Sequence, residues 1–311
     1  MRAPTDSAPR TRSGLALAVT SAVSFGLSGA MAAGLYATGW TAGSAVLTRI
    51  VIAAVVLVVP GLRAIGGRFE VIAANWRRIV AYGVLAVTGS QLCYFYAVSR
   101  LPVSVALLIE YTAPVAVVAW TWVRRGERPG ALTLVGAAVA AVGLVLLLDL
   151  LGSGGGGGGL DAVGVLWALG AMVGAAAYFV MSADVSTTLP AITLASSGLV
   201  VGAALLGVLA LTGVVPVEAS TRRVDFEPFA VSWWVPVAAL GLITAALAYV
   251  TGIEAGRRLG ARLASFVALS EVVAATAFAW WLLDQVPTTV QFAGAVVLIG
   301  GVVIVRAGES V

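Results

Sequence analysis

The chain has 311 residues, 60% of them hydrophobic and 10% charged, and its mean hydropathy is +1.04. That balance excludes a soluble domain and sets the class as a polytopic membrane protein, so the pI of 9.6 points to helix-end charge and not to nucleic acid. With no histidine and a single cysteine, Cys93, the usual general base, the usual metal ligand and an internal disulfide are all missing, and no cofactor or metal is expected.

Residues 1–13 are polar, with Pro4, Pro9, Arg10 and Arg12, and are expected to be a disordered cytoplasmic N-terminus. The apolar run 14–36 exceeds a signal-peptide core and reads as an uncleaved first span. Further runs near the length of a membrane crossing cover 43–60, 78–98, 102–123, 130–150, 161–182, 190–213, 232–253, 262–283 and 288–306. The expected fold is therefore all-α integral membrane, with ten transmembrane helices. Pro60-Gly61, Leu101-Pro102, Pro129-Gly130, Pro190 and Pro287 mark its breaks. Gly152 to Gly159 reads as a flexible linker, because a phosphate-cradling loop needs a following Lys and Ser/Thr. Ala22, Gly26, Ala30 and Gly34 form a small-residue stripe on span one, echoed by Gly170 and Gly174 on span six. The stripe suits close packing within the monomer, with a homodimer seam as the alternative.

Residues 97–148 lie over 255–306 without a gap, at a constant offset of 158. Fourteen of the 52 pairs are identical, including Arg100/Arg258, Trp122/Trp280, Gly136/Gly294 and Gly143/Gly301. Composition alone would give roughly five. The copies differ in where their arginines sit. Arg124, Arg125 and Arg128 become Leu282, Leu283 and Val286, whereas Ser99 and Ser104 become Arg257 and Arg262. Positive charge marks the cytoplasmic side, so the two copies are expected to be inverted relative to each other. The layout is then repeat one at 14–150, linker 151–160, repeat two at 161–306 and a cytoplasmic tail at 307–311. With both termini inside, 14 arginines face the cytoplasm and three face out, and Arg49 stays within the membrane. Trp40, Trp76, Trp233, Trp234, Trp280 and Trp281 fall near span ends, as interfacial belts require.

Ionisable groups at membrane depth are costly and point to function. Arg49, Glu110 and Glu271 are the three that stand out. At about 1.5 Å per residue, Arg49 and Glu110 lie at similar depth and can pair; the competing reading is a purely structural salt bridge. Glu271 falls opposite Ala113, three positions from Glu110, so both carboxylates use similar faces of equivalent helices and can look into one cavity. An unpaired Glu271 could carry a proton. Pro114 removes the hydrogen bond to the Glu110 carbonyl and kinks span four; Val272 stands at the matching position, so this device is not expected in the second copy. Gln91, Tyr94, Tyr111, Trp167 and Tyr178 complete the candidate lining, with packing as the alternative for each.

The segment Glu110-Tyr111-Thr112-Ala113-Pro114 leading to Gly126-Glu127-Arg128-Pro129 resembles the EamA-like permeases of the drug/metabolite transporter superfamily. So does Ala268-Leu269-Ser270-Glu271 leading to Asp284-Gln285-Val286-Pro287. The resemblance covers roughly residues 14–306. It implies a multi-pass protein of the bacterial inner membrane that exports small metabolites, often amino acids, from a central cavity, with coupling to protons or to exchange. Efflux of drugs or cationic compounds is the alternative cargo, and a polytopic membrane enzyme a remote one.

Overall fold

The computed structural model describes residues 7–98, 100, 101, 103–148 and 161–309. The linker at 152–159 and Pro102 lie outside them. The first repeat contributes α1 (Ser7–Tyr36), α2 (Ala42–Ala64), the short α3 (Glu70–Ala74), α4 (Trp76–Ala81), α5 (Ser90–Val98), α6 (Val103–Glu110), α7 (Ala113–Arg125) and α8 (Ala131–Leu147). The second contributes α9 (Ala162–Ser182), α10 (Ala191–Leu211), α11 (Trp234–Gly241), α12 (Ala248–Ala268), α13 (Ser270–Leu283) and α14 (Thr289–Glu309). α4 and α5 are joined by a π-helical stretch, Tyr82–Gly89, and α11 and α12 by another, Leu242–Leu247.

Among the described residues, eight helices are long and apolar enough to cross a membrane, and the chain is an all-α membrane protein. The fifth expected span is the shorter helix Ala131–Leu147, and the ninth is divided. Its first part continues from the eighth in one helical stretch that reverses at Gly260, where φ 79° and ψ 163° suit a residue without a Cβ. The reversal is visible along α1: Gly14 touches Leu259, Ser21 donates to the Ala248 carbonyl at 2.8 Å, and Gly26 then meets Glu271 and Ala274. One expectation is corrected. Helix α1 already begins at Ser7, inside the segment read as disordered, and Ser13 Oγ is held by Arg258 Nη1 at 2.9 Å. A two-stranded antiparallel hairpin, β1 (Val224–Phe226) and β2 (Phe229–Val231), stands in the loop before α11. Val224 and Phe226 pack on Gly34, and the Glu227 N–H donates to Leu282 O at 3.0 Å, so the hairpin ties α1 to α13.

The repeat register reappears as contact symmetry. A Cβ on Gly136 would meet Val305 N at 2.6 Å, and its mate Gly294 is pressed on Leu147. Gly143 abuts Leu298, and its mate Gly301 abuts Ala140. In each contact, as one partner advances along α8 the other retreats along α14. The fifth helices of the two copies therefore run antiparallel, as inverted repeats require. The first helices show the same relation: Gly14 sits against Arg258 and Leu259, and Gly164 against Arg100 and Leu101. The left-handed cap at Gly126 (φ 69°) recurs at its mate Asp284 (φ 54°), the one described non-glycine residue with positive φ.

Ser13 and Glu309, near the two ends of the described chain, are held on one face by Arg258 and Arg262. Arg262 reaches Glu309 Oε1 at 3.0 Å, the Glu127 carbonyl at 2.9 Å and Thr121 Oγ1 at 3.2 Å, joining the ends of α7, α12 and α14. On the same face Arg78 pairs with Asp184 in the loop after α9. Burial works to raise the Asp184 carboxyl, but the Ser186 side chain and N–H, together with Arg78, outweigh it and hold it at about 2, against an ordinary 3.8. A depressed carboxylate stabilises the fold above its ordinary value, and that contribution is lost as pH falls through about 2. Asp184→Asn is therefore expected to cost about 1–2 kcal/mol at pH 7, after discounting for partial exposure. Thermal unfolding in detergent should show the gap between variant and wild type narrowing between pH 4 and pH 2; a gap constant with pH would remove the carboxylate from the account.

Candidate functional site

A cavity of about 530 Å³ opens between α1, α2, α5, the α6–α7 junction, α9, α12 and α13. Its walls are mainly small apolar residues, because alanine and glycine on α1 and α12 let the helices approach while leaving space between their faces. Arg49, Gln91, Tyr94, Glu110, Tyr111, Pro114, Tyr178 and Glu271 all line it. Trp167 does not: it is 37% exposed and stacks on Tyr96 with ring centroids 4.8 Å apart. Tyr96 lies with it, away from the cavity.

The two carboxylates owe their position to matching helix breaks. α6 ends at Glu110, Tyr111 and Thr112 form a turn, and α7 starts at Ala113 with Pro114 in its first turn, where a missing N–H is harmless. Pro114 thus marks a break and not only a kink. The break was not expected in the second copy, yet it is present: α12 stops at Ala268 and α13 starts at Ser270, with Glu271 in its first turn. A hydroxyl stands at the break in each copy. Thr112 Oγ1 donates to the Ile109 carbonyl at 2.6 Å, and Ser270 Oγ donates to the Val267 carbonyl at 2.7 Å. Each hydroxyl competes with the helix ladder for the carbonyl three residues back.

The expected Arg49–Glu110 pair does not form: Arg49 makes no ion pair with a described residue. Glu110 instead accepts from Ser90 Oγ at 3.3 Å. Arg49 is buried, its Nη2 donates to the Thr244 carbonyl at 3.1 Å, its Nε has no partner, and its guanidinium lies 5.6 Å from the Phe25 ring centre. Tyr36, Glu110, Tyr249 and Glu271 line the same cavity as its guanidinium. One cation thus sits among two carboxylates and a ring of aromatic side chains, with hydrogen-bonding capacity unspent.

Phe25, Tyr36, Ser90 and Tyr249 were missed from the sequence. Tyr249 is the repeat mate of Gln91, and both line the cavity, so carrying the 158-residue offset six residues further back would have found it. Phe25 and Tyr36 lie on α1, outside that register.

Two repeats of membrane-crossing helices around a charged cavity define the class: a small-molecule transporter. The chain belongs to the EamA-like transporter family, whose model matches residues 12–149 and 162–307, one match per repeat, within the drug/metabolite transporter superfamily. A crystal structure of another protein superposes with a TM-score of 0.75 at 21% identity, covering 95% of this chain and 98% of that one, and so shares the fold. No curated relative matches the sequence.

Proposed function

We propose that this transporter, and not an enzyme, exports small amphipathic metabolites, amino acids or close relatives, across the bacterial inner membrane by alternating access. The observation that carries this reading is the placement of buried, under-bonded Arg49 in one cavity with Glu110 and Glu271. Arg49 suits a carboxylate, the glutamates suit an amine or a coupling proton, and the apolar walls suit a side chain. The arginine excess on the face that bears Ser13 and Glu309 supports a cytoplasmic assignment for that face. Toward it the lining is buried, at Ala18, Ala22, Ala255 and Ala264; toward the other end Gly29 and Tyr36 are exposed. The cavity is therefore read as facing outward, with the Arg262 network closing the cytoplasmic end.

Efflux of cationic compounds is the second reading, favoured by two carboxylates against one arginine and by the aromatic wall of Phe25, Tyr94, Tyr178 and Tyr249. The deciding experiment follows a labelled amino-acid panel leaving proteoliposomes, with and without an imposed proton gradient, beside a lipophilic cation. Gradient-dependent amino-acid efflux, with the cation failing to compete, is the expected result. Cation movement without amino-acid movement would replace the cargo and keep the fold.

A further inference from the structure

The two π-helical stretches occupy the same place in both repeats. Ser90 N–H reaches back to Leu85 O, and its mate Ala248 N–H reaches back to Ile243 O, each five residues away. Such wide turns are rare and concentrate at functional sites, so two at one repeat position are a built feature. They are braced differently. The first is packed by α9 and α10: a Cβ on Gly174 of α9 would stand 2.9 Å from Leu85 O, and Thr88 Oγ1 donates to Gly202 O of α10 at 3.3 Å. In the second, the Thr244 hydroxyl bonds back to Leu240 O at 2.8 Å, and the Thr244 carbonyl takes Nη2 of Arg49. That last bond crosses from α2 of one repeat to the π-turn of the other, and its donor is a cavity side chain with Nε still unpartnered.

We propose that Arg49 couples occupancy of the cavity to the Leu242–Leu247 turn. A carbonyl offers the guanidinium a partial charge; an anionic group entering the cavity offers a full one, and charge-assisted bonds to anions are roughly twice as strong as neutral ones. Arg49 then leaves Thr244 for the ligand, and the π-turn loses its brace from the other repeat. The helix beyond the turn carries Tyr249 on the cavity wall and, further on, Arg258 and Arg262 at the closed end. Loosening the turn frees that segment to move against α11 and passes the signal of a bound anion to the closure. The first π-turn lacks such a donor and serves as a fixed counterpart. The ligand-driven step rests on the transporter reading above; the brace itself does not.

Hydrogen–deuterium exchange of the full chain in nanodiscs tests both. In Arg49→Met, peptides covering 242–249 should exchange at least fivefold faster than in wild type, while 82–89 stays unchanged; Arg49→Lys gives the same readout if the methionine variant does not fold. Unchanged exchange at 242–249, or equal acceleration of both turns, overturns the brace. In wild type, 10 mM L-leucine should accelerate 242–249 and leucinol, which lacks the carboxylate, should not. Equal effects from both probes overturn exchange of Arg49 onto an anion. A silent pair beside a positive variant arm counts against amino acids as cargo and leaves the brace standing.

Discussion

Gly301→Val is expected to prevent assembly of the native fold, whereas Gly300→Val, one residue earlier on the same helix, is expected to be silent. A side chain at Gly301 would collide with the backbone nitrogen of Ala140 and stand 2.7 Å from its Cα, and backbone cannot rotate away as a side-chain tip can. Helices α8 and α14 would have to separate along a contact that also includes Gly136, Gly143 and Gly294. Overpacking of flexible cores costs about 1–3 kcal/mol, and a backbone collision belongs at or above the top of that range. Gly300 faces open space, so its valine meets nothing. The contact symmetry adds a sharper expectation: Gly143→Val, the mate of Gly301→Val, should be as damaging. Fluorescence-detected size-exclusion profiles of the three variants decide it, and a monodisperse Gly301→Val peak at wild-type yield would refute the crossing.

That crossing was half legible in the sequence. The matched glycines fixed which residues are equivalent, and the displaced arginines fixed the inversion, but neither says that the two fifth helices touch. Thr112 and Ser270 stand at the two helix breaks, at matching positions. Reading proline alone as the breaker hid the second one, because Val272 looks like ordinary helix. Depth along a span is countable at about 1.5 Å per residue, and it placed Arg49, Glu110 and Glu271 near one level. Rotation about each helix axis is not countable in the same way, so depth paired Arg49 with Glu110 while the fold turns it toward the Thr244 carbonyl. Trp167 failed for the same reason. The π-turns leave no mark in hydropathy, since one widened turn changes neither length nor apolar content appreciably. The hairpin had a signal that went unused: Val224-Asp225-Phe226 and Phe229-Ala230-Val231 flank Glu227-Pro228, two short runs around a turn.

Glu271→Gln is expected to reduce gradient-driven efflux at least tenfold while leaving the unfolding temperature nearly unchanged. The substitution keeps the shape of the side chain, so packing at the start of α13 is preserved. What it removes is an ionisable carboxyl in the first turn of α13, in the same cavity as Arg49. Removing one partner of a desolvated charge set costs about 2–5 kcal/mol in binding, which corresponds to roughly 30-fold or more. Glu110→Gln removes the other cavity carboxyl, the one that accepts from Ser90. The comparison separates two roles that the shared cavity would otherwise confound. If both variants lose transport but only Glu271→Gln weakens binding of a carboxylate-bearing substrate, Glu271 sets the state of Arg49 and Glu110 serves the amine or the proton. If Glu271→Gln transports at the wild-type rate with the same pH profile, the carboxylate is a structural cap for α13 and the charge logic of the cavity rests on Glu110 alone.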